Sequence, residues 1–305
     1  MMEERVAIID MGTNTFLLLI AEKRKGRYET LYQQRIASKI GMGGINGGVI
    51  TPEAIGRAMA ALREFKKMMD DWKVTRSIAI GTSAIRSANN GQELIKKIKA
   101  ETGIEAKIIS GDEEAEWIYL GVRQAVPLGL DKSLIVDIGG GSVEFIIANQ
   151  DEIFWKQSFE IGGQRLMEKF QHHDPILPQE VELIDRFLTD SLHPLFIALI
   201  RLQPQTMVGS SGSFDTLSEI YCTQMGIDYK NQLETPLTIL AFDQIHQELL
   251  QKNRADRLTI PGMIELRVDM IVVGSIIVHL LLSKYSFRAI RVSSYSLKEG
   301  VLARL

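Results

Sequence analysis

Short apolar runs alternate with helical patterns over the first 125 residues. Val6 to Asp10 and Phe16 to Ala21 flank a polar turn that contains glycine, which predicts a β-hairpin. Helices are predicted near 52–72, 92–102 and 110–124, the first opening at Thr51-Pro52-Glu53 and the last at a capping box that begins at Ser110. Strands are predicted near 77–80 and 105–109. This alternation is typical of an α/β fold.

The pattern starts again after a break at Pro127, Gly129 and Asp131. It predicts strands near 134–137, 143–148 and 289–293, and helices near 179–201, 213–224, 241–252 and 263–284 and from 297. The break predicts two domains, 1–125 and 126–305. We expect the last helix, about 297–305, to pack back on the first domain.

An internal repeat relates the two halves of the chain. VAIIDMGTNTFLLLIA and LIVDIGGGSVEFIIA share an apolar strand that ends in aspartate, a glycine-containing polar turn and a second apolar strand. The two aspartates, Asp10 and Asp137, are 127 residues apart. The chain is therefore expected to contain two copies of one α/β unit.

Composition places the chain among globular proteins, with 45% hydrophobic and 24% charged residues. The net charge of −3 argues against any large polyanionic partner, nucleic acid included, because phosphate chains and nucleic acids are bound mainly by Lys and Arg. The total hides an uneven distribution. Residues 1–100 carry 17 Lys and Arg against 10 Asp and Glu, a net charge of +7, and the remaining residues carry −10.

No pattern predicts export or membrane insertion. The single cysteine, Cys222, has no partner for an internal disulfide. The N-terminal apolar run is interrupted at once by Asp10 and Asn14, which is not typical of a signal peptide. The longest apolar stretch, Met270 to Leu282, is too short to span a bilayer. We expect a cytoplasmic protein with no membrane partner.

Two turns are candidates for binding phosphate. Gly12-Thr13-Asn14-Thr15 offers two hydroxyls and an amide, and Gly139-Gly140-Gly141-Ser142 lets backbone N–H groups approach an anion with no Cβ in the way. A tight hairpin also needs glycine, so one such turn alone is weak evidence. Two matching turns in duplicated halves favour phosphate binding. Neither has the terminal Gly-Lys-Ser/Thr of a Walker loop.

Carboxylates lie beside both turns. Asp10 and Asp137 end their strands and Glu144 follows the second turn, which makes sense if a hard cation such as Mg²⁺ offsets their repulsion of phosphate. The alternative for Asp137 is to cap the turn. Glu113 occupies the box position of its helix, whereas Glu114 is rotated about 100° around the axis and is free to activate a water or to lie in solvent.

Two further loops follow strands. Arg86, at the end of GTSAIR, is a candidate phosphate clamp or a surface arginine. Ser211 and Gly212, in GSSGS, precede a helix whose N-terminus can accept an anion, although the bare pattern is little more than a turn. The five histidines have no partner at metal-ligand spacing.

Together these motifs resemble the exopolyphosphatase and guanosine-pentaphosphatase (Ppx/GppA) family of the sugar-kinase, chaperone-ATPase and actin superfamily. The resemblance covers nearly the whole chain. It rests on DMGTNTFLLLIA, GTSAIRSANN, ISGDEEAEWIYLGV, VDIGGGSVEFIIA, IGGQRLMEKF, VGSSGSFDTL and KEGVL. It implies two duplicated actin-like, or ribonuclease H-like, domains with an interdomain cleft, and a homodimer fits the family.

The resemblance also implies an activity. It implies Mg²⁺-dependent release of orthophosphate from inorganic polyphosphate, or of the 5′ γ-phosphate from pppGpp. Glu114 would activate water, Asp137 and Glu144 would hold the metal, and the two turns with Arg86 would bind phosphates. The basic first third would then attract the phosphate chain electrostatically.

Three positions depart from the family pattern. Glu116 stands where the family has arginine, Val143 where it has threonine, and Ser296 where it has glycine. The chain also lacks the C-terminal helical domains of longer members, so weaker processivity on long chains is expected. Besides pppGpp hydrolysis, the alternatives are a kinase of the same superfamily and a sensor that binds polyphosphate or an alarmone without turnover.

Overall fold

The computed structural model describes residues 4–24 and 26–305. The chain divides into two compact units. The first comprises the described residues up to Glu114 together with Val301–Leu305, and the second comprises Ala115–Gly300. The division falls inside the helix that precedes residue 126.

The first unit is built on a five-stranded sheet with the strand order β3-β2-β1-β4-β5. Its first three strands are antiparallel, and β1, β4 and β5 are parallel. The elements are β1 (Arg5–Met11), β2 (Phe16–Arg24), β3 (Arg27–Ile36), α1 (Pro52–Asp71), β4 (Arg76–Gly81), α2 (Ser83–Ser87), α3 (Gly91–Thr102), β5 (Ala106–Ile108) and the start of α4 (Gly111–Ala125).

The second unit is built on a six-stranded sheet and has more helices. Its elements are β6 (Ser133–Ile138), β7 (Val143–Ala148), β8 (Ile153–Phe159), α5 (Gly163–Phe170), α6 (Pro178–Ser191), α7 (His193–Leu202), β9 (Thr206–Ser210), α8 (Ser211–Met225), β10 (Glu234–Leu237), α9 (Ile239–Gln251), α10 (Arg254–Leu258), α11 (Ile271–Lys284), β11 (Ala289–Ser293) and most of α12 (Leu297–Leu302). The strand order is β10-β11-β9-β6-β7-β8.

The two sheets share one topology. From β8 onward, the order β8-β7-β6-β9-β11 repeats the order β3-β2-β1-β4-β5, with three antiparallel strands followed by parallel ones. The antiparallel strand β10 is an addition at the edge of the second sheet. This arrangement confirms the predicted fold class, an α/β protein with two duplicated actin-like units.

Each unit has its own hydrophobic core. In the first, Ile9 and Leu18 of the sheet cluster with Leu62 of α1. In the second, Phe145 of the sheet clusters with Ile276 of α11. Helix α11 is buried along most of its length, as its apolar sequence predicts. Among the described residues, no helix combines the length and apolar character needed to cross a bilayer.

The helix predicted over 179–201 is wrong as a single element. The structure breaks it at Leu192 into α6 and α7, and Pro194 lies in the first turn of α7. Proline has no N–H to donate and its ring clashes with the preceding turn, so an interior position ends a helix and a first-turn position suits it.

The helix predicted over 263–284 is also wrong in its first third, because α11 begins only at Ile271. Before it, Arg267 N–H donates to the Ile264 carbonyl and Met270 N–H to the Arg267 carbonyl, which are three-residue turns. The buried Arg257 donates from Nε to the Val268 carbonyl at 3.1 Å. Tertiary contacts therefore override the helical periodicity of this segment.

Candidate functional site

The first glycine turn, Gly12–Thr15, joins β1 to β2, and Asp10 lies near the end of β1. The carbonyls of Thr13 and Asn14 accept hydrogen bonds from the N–H groups of Gly41 and Lys39, at 3.0 and 2.9 Å. A Cβ at Gly12 would lie 2.9 Å from the Thr15 carbonyl oxygen, so a larger residue would strain the turn. The loop after β3 therefore fixes this turn from behind.

Arg86 and Glu114 are brought together in the first unit. Arg86 lies in α2 and Glu114 in the first turn of α4, and Nη1 of Arg86 lies 2.7 Å from Oε2 of Glu114. Both side chains are largely buried, with exposed fractions of 18% and 8%. The guanidinium also donates to the Ile109 carbonyl at 3.3 Å. One oxygen of the predicted base is thus held in a fixed orientation by a charged hydrogen bond.

Glu113 has the capping role that its position predicts. Its Oε2 accepts from Ser110 N–H at 3.1 Å, and its own N–H donates to Ser110 Oγ at 3.1 Å. The backbone hydrogen bond from Ser110 holds the pKa of the Glu113 carboxyl below its ordinary value. Neighbouring glutamates therefore have different surroundings, one as a half-exposed cap and one as a buried ion pair.

The second glycine turn, Gly139–Ser142, joins β6 to β7 and repeats the geometry of the first. A Cβ at Gly139 would lie 3.0 Å from the Ser142 carbonyl oxygen, which matches the contact predicted for Gly12. The residues that follow β8 donate their N–H groups to the carbonyls of this turn. As in the first unit, the segment after the third strand packs behind the turn.

Asp137 and Glu144 form a cross-strand pair beside this turn. They are opposite each other in the β6–β7 register and so lie on the same face of the sheet. Oδ2 of Asp137 accepts hydroxyl hydrogen bonds at 2.5 to 2.8 Å from Ser210, Ser211 and Ser296. Oε1 of Glu144 accepts at 2.6 and 2.7 Å from Ser142 and Ser158. The hydroxyls thus fix the orientation of both carboxylates.

This donor set fits Mg²⁺. Magnesium prefers hard oxygen ligands and is bound in many phosphoryl-transfer sites by one or two carboxylates together with substrate phosphate and water. Asp137 and Glu144 supply two such carboxylates on adjacent strands. Among residues 4–24 and 26–305, no group of three or more His, Cys, Asp or Glu is arranged to hold a metal. The assignment of Asp10, Asp137 and Glu144 as metal ligands stays a prediction.

Ser211 and Gly212 form the junction of β9 and α8. Ser211 has a φ of +66°, a left-handed conformation that is unfavourable for a residue with a Cβ, and its hydroxyl donates to Asp137. A Cβ at Gly212 would lie 1.9 Å from Cζ of Arg267, so the absence of a side chain lets this guanidinium pack onto the loop. No sequence signal links Arg267 to the loop.

The family departures have structural explanations. Lys156 of β8 forms an ion pair with Glu116 at 3.3 Å, which offsets the reversed charge. Val143 is fully buried in the core cluster, on the opposite side of β7 from Glu144, so the missing hydroxyl does not remove a group from the carboxylate face. Ser296, in place of glycine, adds one of the hydroxyls that bind Asp137.

Within each unit, the structure thus brings predicted residues together. Arg86 meets Glu114 in the first unit, and Ser211 and Glu144 accompany Asp137 in the second. Sequence reasoning missed the hydroxyls of Ser158, Ser210 and Ser296, because serine is common and nothing local marks these three as partners of a carboxylate.

Comparisons with known proteins cover nearly the whole chain. A model of the Ppx/GppA phosphatase family matches residues 19–305. The chain is similar to the crystal structure of an exopolyphosphatase from Cytophaga hutchinsonii, with 46% identity, 98% of this chain and 96% of that chain covered, and a TM-score of 0.95. It is also similar to the crystal structure of the Aquifex aeolicus member of the Ppx/GppA protein family, with 26% identity, coverage of 99% and 97%, and a TM-score of 0.81.

Proposed function

The chain belongs to the Ppx/GppA phosphatase family, and from this premise we propose that it is an Mg²⁺-dependent exopolyphosphatase. The reaction is hydrolysis of the terminal phosphoanhydride bond of inorganic polyphosphate. Water adds to the terminal phosphorus, the bridging P–O bond breaks, and the products are orthophosphate and a chain shorter by one phosphate. The similarity to the Cytophaga hutchinsonii exopolyphosphatase supports this substrate class.

The geometry of the second glycine turn carries the proposal. Within the part of the chain that the structure describes, the N–H groups of Gly140, Gly141 and Ser142 donate to no protein acceptor. Successive backbone donors of this kind form a concave site for phosphate oxygens. Phosphoryl transfer depends chiefly on positioning and on charge neutralisation, which such donors supply.

The other residues have separate roles in the proposal. Glu114, held by Arg86 through Oε2, accepts a proton from the attacking water. Asp137 and Glu144 would hold Mg²⁺, which when bound neutralises phosphate charge. The turns at Gly12–Thr15 and Gly139–Ser142 and the Ser211–Gly212 junction bind phosphate oxygens.

Hydrolysis of pppGpp is the second candidate, because its 5′ end carries the same phosphoanhydride. Two observations support an enzyme over a sensor without turnover: Lys156 pairs with Glu116 and offsets the reversed charge, and the buried Val143 removes no polar group from the carboxylate face. The cytoplasmic location and the homodimer stay predictions.

The test is a phosphate-release panel that compares long polyphosphate, short polyphosphate, pppGpp and ATP, each with and without Mg²⁺. We expect the highest kcat/KM on polyphosphate and no release without the metal. Glu114→Gln should lower kcat by at least about 100-fold, because the amide cannot accept the proton. The amide keeps the size of the side chain.

The matched control is the neighbouring Glu113→Gln. It weakens a helix cap, in which glutamine can still accept from Ser110, and removes an exposed ion pair with Lys107, so we expect wild-type kcat and a loss of about 0.5 kcal/mol in the free energy of unfolding. Equal activity of Glu114→Gln and the wild type would refute the base assignment. Phosphate release confined to pppGpp would replace the first candidate with the second.

A further inference from the structure

Every glycine carbonyl of the second turn is bound from one side. Gly163 N–H donates to the Gly139 carbonyl at 2.9 Å, Gln164 N–H to Gly140 at 2.8 Å, and Gly162 N–H to Gly141 at 3.1 Å. The donors are successive residues at the start of α5. The N-terminal N–H groups of a helix lack partners within the helix, and here the turn supplies them.

This arrangement fixes the direction of the turn's own N–H groups. In a trans peptide the C=O of one residue and the N–H of the next point in opposite directions. Because the carbonyls of residues 139–141 point towards α5, the N–H groups of Gly140, Gly141 and Ser142 point away from it. The start of α5 therefore sets the orientation of the three proposed phosphate donors.

Arg165 adds a charged contact to this arrangement. Its Nε donates to the Gly141 carbonyl at 2.8 Å, so that carbonyl accepts from both Gly162 and Arg165. The Nη2 group of Arg165 lies 2.7 Å from Oε2 of Glu160, and 13% of the arginine side chain is exposed. Two different partners thus hold the guanidinium plane in place.

The peptide that Arg165 contacts carries one of the three proposed phosphate donors. The Gly141 carbonyl belongs to the same peptide group as the Ser142 N–H. A cationic donor on the carbonyl polarises that peptide and so strengthens its N–H as a donor. In the first unit, the corresponding carbonyls of Thr13 and Asn14 accept from the backbone N–H groups of Gly41 and Lys39.

We propose that Arg165 is a positioning residue for phosphate binding, acting through the Gly141–Ser142 peptide. The inference rests on the proposed function for the identity of the anion. It assigns Arg165 no contact with the substrate. Its removal should lower the affinity of the turn for a terminal phosphate while the fold persists through the three backbone hydrogen bonds.

The experiment compares the wild type with Arg165→Gln and Arg165→Lys. Calorimetry with inorganic tripolyphosphate and Mg²⁺ measures affinity, phosphate release measures KM and kcat on polyphosphate, and thermal unfolding gives Tm. The matched control is Arg186→Gln, which removes an exposed arginine of α6 that pairs with Glu182 one helical turn away.

For Arg165→Gln we expect an affinity for tripolyphosphate about tenfold weaker and a KM raised by a similar factor, because one oriented hydrogen bond to a charged group is lost. Arg165→Lys should recover part of the affinity, since an ammonium group can also donate to the Gly141 carbonyl. Arg186→Gln should match the wild type in affinity and KM.

Affinity and KM within about twofold of the wild type in Arg165→Gln would overturn the proposal, as would a lower Tm with unchanged KM. If Arg165→Gln does not fold, Glu160→Gln takes its place, and wild-type affinity there overturns the proposal. A wild type that binds tripolyphosphate without hydrolysing it refutes the proposed function, and calorimetry still tests Arg165. A wild type that binds no tripolyphosphate overturns the Arg165 proposal as well.

Discussion

Gly162, at the start of α5, packs directly against the backbone of the second glycine turn. A Cβ at this position would lie 2.5 Å from backbone atoms of Gly140 and Gly141. Its φ of −65° suits any residue, so the restriction is steric rather than conformational. A side-chain rotation cannot relieve this contact, because the atoms that the added Cβ meets belong to the backbone.

We therefore expect Gly162→Ala to displace the turn. The free energy of unfolding should fall by about 1 to 3 kcal/mol, and KM for polyphosphate should rise as the N–H donors lose their alignment. Urea unfolding and phosphate-release kinetics measure the two effects.

The control is Gly56→Ala in the second turn of α1, where an added Cβ meets no atom within 4 Å. This variant should be more stable by about 0.5 to 1 kcal/mol, because alanine favours a helix over glycine, and KM should not change. Wild-type kinetics in Gly162→Ala would mean that the turn tolerates the displacement.

At the residue scale, contacts between residues close together in the sequence were predictable, and contacts between residues far apart were not. The Ser110–Glu113 box follows from two residues three positions apart. The partnership of Arg86 with Glu114 joins residues 28 positions apart on different helices, and no local pattern encodes it. Each residue was a candidate separately, and folding makes them a pair.

Helices α9 and α11 bury two histidine rings against each other. The rings of His246 and His279 stack with centroids 4.5 Å apart. Nδ1 of His246 lies 2.9 Å from Oγ of Ser275, whose hydroxyl donates to the Val272 carbonyl, so Nδ1 carries the proton. Burial, together with His279, lowers the pKa of His246 to about 4.

The buried His246 makes the free energy of unfolding depend on pH. The folded-state pKa of His246 lies below the unfolded value of 6.5, so unfolding takes up a proton between these values. The contribution is fully present above pH 6.5 and is lost as the pH falls towards 4, with a total of roughly 3 kcal/mol. Burial raises the pKa of the Asp185 carboxyl, and the charge of His279 acts in the opposite direction. Because this group also titrates, the wild type and the variants are compared at the same pH.

His246→Asn should flatten this dependence, because the amide can donate to Ser275 but does not titrate. Urea midpoints measured at about pH 7.5 and about pH 5 should differ less in the variant than in the wild type. The exposed His193, replaced by Asn, serves as the control and should keep the wild-type difference. An equally steep dependence in His246→Asn would contradict the prediction.

At the element scale, long amphipathic and apolar segments were predictable, while short or polar ones were not; the amphipathic helix α5, only eight residues long, was missed. The prediction over 52–72 matches α1, whose cap Thr51 accepts from Ala54 N–H. Strand β3 was missed because its sequence is largely polar and no residue in it is fully buried. Strand β10 and helix α10 were missed because each is too short to show a period.

At the scale of the whole molecule, charge is distributed unevenly along the chain. Residues 1–100 carry a net charge of +7 within a total of −3. A basic region attracts a flexible polyanion through long-range Coulomb interactions. Salt weakens these interactions, because the Debye length is only about 8 Å at physiological ionic strength.

We therefore expect KM for long polyphosphate to rise several-fold between about 50 and about 200 mM salt at constant free Mg²⁺. The kcat should change less, because charges fixed inside the site are screened less than exposed ones. Tripolyphosphate carries fewer charges and should show a smaller rise. A KM for long chains that is independent of salt would show that the basic region does not attract the substrate.

The duplicated architecture was the most predictable feature of the molecule, because the repeat is written in two strand–turn–strand segments of the sequence. The sheets confirm it down to the equivalent contacts of Gly12 and Gly139. The loops behind the turns were not foreseen, because the donors are backbone N–H groups, which every residue except proline possesses.

The serine hydroxyls that donate to Asp137 also determine when, during synthesis of the chain, its surroundings are completed. They belong to residues 73, 74 and 159 positions further along the chain. Because a ribosome makes the chain from its N-terminus, this carboxylate acquires its last donor only after synthesis has passed Ser296. A nascent chain released before Ser296 has the glycine turn but not the completed carboxylate environment, so premature termination yields a fragment without a finished site.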